Sequence, residues 1–428
     1  MGWKDIYNEK HVSVEEAAAK IESNDRIWFG ACSSAPIKLL ETLSERYQMV
    51  ENVDLMTAMA LYPYKFLQSP EYIGHLNFHT TFYGAYARKF YKAGNVNIKL
   101  SHLSKLDKTI RAFNPNVCLA DVSLPDEDGY LYFGSMGVAA NALACELADK
   151  IIVQVNKHQP RVDGVNHRIH VSEVSWICEH DQELPILPQS KPSETDEKIA
   201  SLILPEIQDG STIQIGLGGL ANAIGYGLDE KKDLSVHTEM FTDSMVYLAK
   251  KGVINGKMNA GFGLGSKELY EFVGSGAVKL QPIFDINKPS AIGQNDNFVS
   301  INACLMVDLT GQVCSESIGF RQYSTTGGQL DYVRGAGQSK GGKSFLCLPS
   351  TNVDKKGNLS STIMTRLPAG QVITVPRTDV MYIVTEYGIA DLYNKSIGER
   401  VEALIDIAHP EFRDKLREEA AEVGLIFG

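Results

Sequence analysis

The carboxylate of Glu239 follows Leu234, Ser235, Val236, His237 and Thr238, a run that reads as a strand, and a glycine-rich turn of Gly216, Leu217, Gly218 and Gly219 precedes it. A glutamate has an ordinary pKa near about 4.3, so it is ionised at neutral pH and acts as a nucleophile without a general base. What it needs is an electrophile with a good leaving group and a place for the charge that develops. An acyl thioester meets the first need, because the thiolate it releases has a parent pKa of about 8.5. The turn meets the second. Gly218 followed directly by Gly219 removes two side chains where backbone amides can face an oxyanion, and Gln214 adds a polar group just before the turn.

The same residues admit a second chemistry. Gly216, Gly218 and Ala221 satisfy Gly-x-Gly-x-x-Gly/Ala after a strand, and Glu239 lies roughly 20 residues further on, where a dinucleotide fingerprint places its ribose-binding acid. That reading makes the protein an NAD-dependent oxidoreductase using the Gly216 loop. Both chemistries ask for one geometry: a turn and a carboxylate at the carboxyl ends of strands in an open α/β sheet, where ligands bind.

The chain has the elements for such sheets, twice over. An amphipathic segment over residues 14–21 leads into Ile27, Trp28, Phe29 and Gly30, and another over residues 196–204 leads into Thr212, Ile213, Gln214, Ile215 and Gly216. Pro185, Pro188 and Pro192 interrupt any regular element between the halves. Buried parallel strands are expected over residues 117–122, 150–155, 299–307, 344–348 and 381–384. The expected fold class is α/β, two tandem open domains with mostly parallel sheets. The first spans residues 1–190, the second spans residues 193–428 and carries Glu239, and the active site is expected at their interface.

Bulk properties narrow the function. At 428 residues the chain exceeds one ordinary core, and 44% hydrophobic with 22% charged residues suits a soluble globular enzyme. A formal charge of −11 opposes non-specific nucleic-acid binding, which needs a basic footprint, so no nucleic-acid partner is expected. No apolar run reaches the roughly 18 residues of a membrane span, and residues 1–10 carry no leader pattern, so the expectation is a cytoplasmic protein without a membrane partner. Seven scattered cysteines without a Cys-x-x-Cys pair predict buried free thiols, and no metal site is expected.

Beyond the glycine turn and residues 237–243, several motifs recur together. They are Ser300, Ile301, Asn302 and Ala303; Gly311 and Gln312 with residues 315–319; residues 327–336, beginning Gly327, Gly328 and Gln329 and including Arg334; residues 384–388 around Glu386; and residues 407–410. In this combination the chain resembles the acetyl-CoA hydrolase/transferase family over nearly its whole length, in particular its butyryl-CoA:acetate and 4-hydroxybutyrate CoA-transferases. The resemblance implies a CoA-transferase in which Glu239 forms a glutamyl-CoA thioester. Gln214, Gly216, Leu217, Gly218 and Gly219 would hold the acyl-CoA and its oxyanion, Gly327 and Gly328 would line the CoA site with Arg334 near the phosphates or pantetheine, and Glu386 would lie at the reaction centre. Asn302 would face the acyl group.

It further implies acyl-CoA and a short-chain carboxylate as substrates, no permanently bound cofactor, a homodimer or dimer of dimers, and acetyl-CoA hydrolysis as the competing activity. His237 is expected to pack or orient. The aromatic stretch with Phe78, Phe82, Tyr83, Tyr86 and Phe90 is expected to fill a core or interface.

Overall fold

Short runs of β-branched and aromatic residues, each ended by a glycine or a polar turn, form parallel strands. The computed structural model describes residues 2–426, and the chain divides into two units. The first comprises the chain up to Pro188 with Glu239–Asp243 and Met258–Ile286; the second comprises Gln189–Thr238, Ser244–Lys257 and the chain from Asn287. Residues 180–193, around the three prolines, contain no helix or strand.

The first unit holds strands β1 (Arg26–Phe29), β2 (Val53–Thr57), β3 (Leu76–Thr80), β4 (Val96–Ile98), β5 (Val117–Val122), β6 (Lys150–Val155) and β7 (Trp176–Glu179). They form one sheet in the order β7-β6-β5-β1-β2-β3-β4, with every pairing parallel. Strand order reverses at β1 and β5, which makes this an open doubly wound sheet. Its interior strand β5 is buried along its whole length, as expected for a sheet covered on both faces. Helix α1 (Leu106–Phe113) leads into it. The aromatic stretch packs the core: Phe78 and Tyr83 are buried in one cluster with Phe29, Tyr64 and Phe66, and Tyr86 and Phe90 lie against it. Tyr64 and Phe66 stack with ring centroids 4.9 Å apart.

The second unit builds its sheet from β8 (Thr212–Ile215), β9 (Leu234–Phe241), β10 (Phe298–Ala303), β11 (Lys343–Cys347), β12 (Tyr382–Thr385) and β13 (Gly388–Asp391), in the order β13-β12-β11-β10-β8-β9. Residues 234–238 of β9 belong to this unit and residues 239–241 to the first. All pairings among these six are parallel except β12 with β13. Helices α2 (Gly219–Gly227) and α3 (Gln329–Gln338) follow glycine turns.

One expected strand divides. The run over residues 299–307 is β10 followed by a separate strand, Met306–Asp308, that pairs antiparallel with Val313–Cys314 and parallel with Ile363–Met364. The break falls at Cys304 and Leu305, and Asp308 closes the second strand. Its carboxylate accepts from the amides of Thr310 and Gln312 at 2.9 and 3.0 Å and from the Thr310 hydroxyl at 2.8 Å, closing a hairpin turn instead of extending the sheet.

All seven cysteines are buried free thiols. Among the described residues no helix is long and apolar enough to cross a membrane, and no group of His, Cys, Asp or Glu is arranged to hold a metal ion.

Candidate active site

The glycine turn is held from below by an amide pair. Gln214 on β8 lies opposite Ser300 on β10 in the parallel register, and Asn302 is two residues further along the same face. Gln214 Nε2 donates to Asn302 Oδ1 and Asn302 Nδ2 donates to Gln214 Oε1, each at 3.0 Å. The Ser300 hydroxyl donates to Gln214 Oε1 at 2.8 Å, and Asn302 Nδ2 also reaches Ser300 Oγ at 3.0 Å. Gln214 and Ser300 are buried, so these bonds satisfy groups that would otherwise be costly.

Above the pair, the Gly216 amide donates to the Ile301 carbonyl at 2.9 Å. A Cβ on Gly216 would come within 3.3 Å of Asn302 Oδ1, so the turn rests on the amide pair. Gly218 caps α2 with φ of 110°, a conformation that glycine adopts without a Cβ penalty. Leu217 between them is 55% exposed. The turn thus presents backbone and one apolar side chain at the amino end of a helix, a favourable place for negative charge.

A second glycine turn belongs to the same unit. Gly327 takes a left-handed φ of 58° and Gly328 caps α3. Gln329 fixes this helix start, donating to the Ala303 carbonyl at 2.8 Å and accepting from the Ser315 hydroxyl at 2.5 Å. The approach to Gly327 is organised by Glu316, which is buried and accepts from Thr374 Oγ1 at 3.0 Å, Gln322 Nε2 at 3.0 Å and Thr326 Oγ1 at 3.2 Å. Arg334 faces elsewhere in its bonding: its fork makes two bonds of 3.2 Å to Asp379.

Glu386 sits at the turn between β12 and β13. It is half-buried, and both of its oxygens are held by one residue: the Ser350 amide at 2.9 Å and the Ser350 hydroxyl at 2.6 Å. Thr385 Oγ1 bonds the Ile407 carbonyl at 2.5 Å and accepts from the Tyr387 amide at 3.1 Å, which fixes the turn. His409 packs edge-on against Tyr387 with ring centroids 5.5 Å apart.

Glu239 is half-buried on β9. Its backbone is closely approached by Gly261, where an added Cβ would lie 2.9 Å from the Glu239 carbonyl oxygen and 2.4 Å from Ile283 Cδ1. Glycine at 261 therefore lets two chains run side by side at the nucleophile candidate. His237 is buried and packs edge-on against Phe298 with centroids 6.2 Å apart.

Several residues escaped sequence reasoning. Ser300, Ser350 and Glu316 act through partners remote in sequence, although Glu316 lies inside a motif and Ser300 precedes Asn302 by the strand period of two. In the first unit, Asp121 sits inside the apolar strand β5, near the point where strand order reverses. It accepts from Gln154 Nε2 at 2.6 Å, Gln159 Nε2 at 2.8 Å and Asn156 Nδ2 at 3.0 Å. Complete burial pushes its carboxyl up to about 8, against the opposing pull of these three bonds. A lone aspartate among Val117, Cys118, Leu119, Ala120 and Val122 was the available signal.

Two family models match the chain: the acetyl-CoA hydrolase/transferase N-terminal domain over residues 2–188 and the C-terminal domain over residues 265–420. The 4-hydroxybutyrate coenzyme A transferase of Clostridium kluyveri is 37% identical, with 98% of this chain and 99% of that protein covered. The butyryl-CoA:acetate CoA-transferase of Anaerostipes caccae is 35% identical, with 98% of each chain covered. Among solved structures, RipA from Yersinia pestis superposes with a TM-score of 0.93 at 32% identity, with both chains fully covered. Likeness of this extent places the protein with CoA-transferases rather than with NAD-dependent oxidoreductases. The chain belongs to the acetyl-CoA hydrolase/transferase family.

Proposed function

We propose that the protein is a short-chain acyl-CoA:carboxylate CoA-transferase working by ping-pong exchange through Glu239. The observation that carries this reading is the full-length likeness to relatives named as CoA-transferases, in a chain that has a carboxylate at Glu239 after its glycine turn.

Each step follows from elementary chemistry. The Glu239 carboxylate attacks the thioester carbonyl of acyl-CoA; the C–S bond breaks, giving a mixed anhydride and CoA thiolate. The thiolate attacks the glutamyl carbonyl, the anhydride C–O bond breaks, and the first acid departs as its carboxylate while Glu239 keeps CoA as a thioester. A second carboxylate reverses both steps. No net proton is needed. Because the anhydride is reactive, contacts to CoA remote from the reacting carbon must hold the thiolate in place.

In this reading the amides of Leu217, Gly218 and Gly219 stabilise each tetrahedral oxyanion, a contribution of about 3 kcal/mol per donor, while the Gly216 amide holds the turn to the Ile301 carbonyl. Leu217 contacts the acyl chain or pantetheine. Asn302, held by Gln214, faces the acyl group, and Glu386, fixed by Ser350, orients the acceptor carboxylate. Gly327 and Gly328 lie along CoA, with Arg334 at its outer end. The enzyme uses CoA as substrate and no resident cofactor, and it acts as a cytoplasmic homodimer or dimer of dimers.

Acetyl-, butyryl- and 4-hydroxybutyryl-CoA offered with and without a second carboxylate test the function. A transferase consumes the donor beyond one equivalent per active site only when acceptor is present, and then forms the new acyl-CoA in equal amount. Consumption at the same rate without acceptor, with free CoA accumulating, makes the protein a hydrolase.

A further inference from the structure

In the first unit a cavity of about 600 Å³ opens beside α1, lined by residues that take no part in the proposed transfer. Its cationic side is Lys99, Lys105 and Lys108, with His102 beside them, and Leu100 and Phe113 are among its apolar wall. Lys108, Thr109, Ala112 and Phe113 share one face of α1 by their spacing, and Lys105 precedes the helix as its N-cap. The segment that supplies Lys99 leaves the edge strand β4 and is tied to α1 by a bond of 3.0 Å from Thr109 Oγ1 to Ser101 Oγ. Helix and segment thereby hold the lysines around one concavity.

The charges in it are uncompensated. Among the described residues none of the three lysines has a carboxylate within ion-pair distance, whereas Arg111 of the same helix pairs with Glu146 at 3.4 Å. Lys105 and Lys108 stand one turn apart and repel each other. In a chain of net charge −11, three unpaired ammonium groups gathered on a concave surface form a local attraction for a multiply charged anion. His102 Nδ1 is buried with no hydrogen-bond partner among the described residues, so the cavity edge also holds a polar group without a protein partner. The apolar wall indicates more than a bare anion: the half-buried Phe113 ring and the exposed Leu100 side chain suit a flat ring system.

We propose that this cavity binds a nucleoside phosphate, with its phosphates against Lys99, Lys105 and Lys108 and its base against Phe113 and Leu100. The nucleotide comes either free or as the phosphorylated adenosine end of CoA, which share this chemistry.

Calorimetric titration of the full-length protein with ADP, tripolyphosphate and adenosine tests the proposal. It uses wild type, the double variant Lys105→Glu/Lys108→Glu, and Lys415→Ala as an exposed-lysine control outside the cavity. ADP should bind wild type more tightly than either tripolyphosphate or adenosine, weaken with salt, and lose at least about tenfold in affinity in the double variant but not in Lys415→Ala. Retention of ADP binding under saturating CoA, with the KM for acyl-CoA unchanged in the double variant, identifies a free nucleotide. Competition by CoA with a matching rise in that KM identifies the CoA end. Absence of ADP binding to wild type, equal affinity for tripolyphosphate, or unchanged affinity in a folded double variant overturns the proposal. Failure of transferase activity alone leaves these binding outcomes intact, so the two readings fail separately.

Discussion

Gln214 and Asn302, 88 residues apart in sequence, hold each other head to tail, each amide donating to the other's oxygen at 3.0 Å. The pair is self-satisfying, and Ser300 completes it from the same strand as Asn302. Replacing Gln214 by Leu removes the partner of two amide atoms on Asn302 and of the buried Ser300 hydroxyl. The expected loss is about 1 to 3 kcal/mol of stability, from leaving polar groups unsatisfied, with kcat falling more than KM rises. Urea unfolding and steady-state kinetics on the same preparation read both effects.

Ser350 grips both oxygens of Glu386 through one amide and one hydroxyl. In Ser350→Ala the amide bond survives and the hydroxyl bond is lost, so Glu386 is loosened rather than released. The expected kcat lies between wild type and Glu386→Ala, and Ser350→Thr should recover part of it by restoring the hydroxyl. An alanine variant with wild-type kcat would remove Ser350 from the account.

Gly261 tests the backbone at the nucleophile candidate. An alanine Cβ there meets Ile283 Cδ1, which can shift, and the Glu239 carbonyl, which can shift only with its strand. Gly261→Ala is expected to cost about 1 to 3 kcal/mol of stability, as overpacking does, and to depress kcat. Adding Ile283→Val should relieve the side-chain clash and regain stability while kcat stays low, a split that thermal melts and kinetics separate.

Asp121 predicts a pH dependence of stability. Its carboxyl rises from an ordinary 3.8 in the unfolded chain to about 8 when buried in the fold. Between those values the folded state retains a proton that the unfolded state has lost, so this residue makes stability fall as pH rises through the window, by at most about 1.4 kcal/mol per pH unit. Above it the contribution is constant. Asp121→Asn keeps an acceptor for part of the cluster but cannot titrate, so its stability relative to wild type should improve from pH 5 to pH 8. A constant difference across urea titrations at pH 5, 6, 7 and 8 contradicts this.

Local chemistry was legible in the sequence. Strand ends and turns are set by neighbouring residues, which is why β5, β6, β8, β11 and β12 and both glycine turns lie close to where they were expected. The motif positions around Gly327 and Glu386 were equally visible. Contacts set by register were not: Gln214 meets Ser300 across 86 residues and Ser350 meets Glu386 across 36, and no local period encodes either. Arg334 illustrates the same limit, since its helix position was visible but its pairing with Asp379 was not. The run over residues 299–307 broke at Cys304 and Leu305, and its second part turned back on Val313–Cys314 through the carboxylate of Asp308, a pairing no local period encodes.

Covalent capture on Glu239 tests the central claim most directly. Wild-type protein incubated with acyl-CoA without acceptor, then digested and analysed by mass spectrometry, should carry CoA on the peptide containing Glu239. Borohydride should reduce that thioester to an alcohol and abolish activity, and Glu239→Ala should show neither adduct nor transfer. A CoA adduct elsewhere, or full transferase activity in Glu239→Ala, contradicts the account.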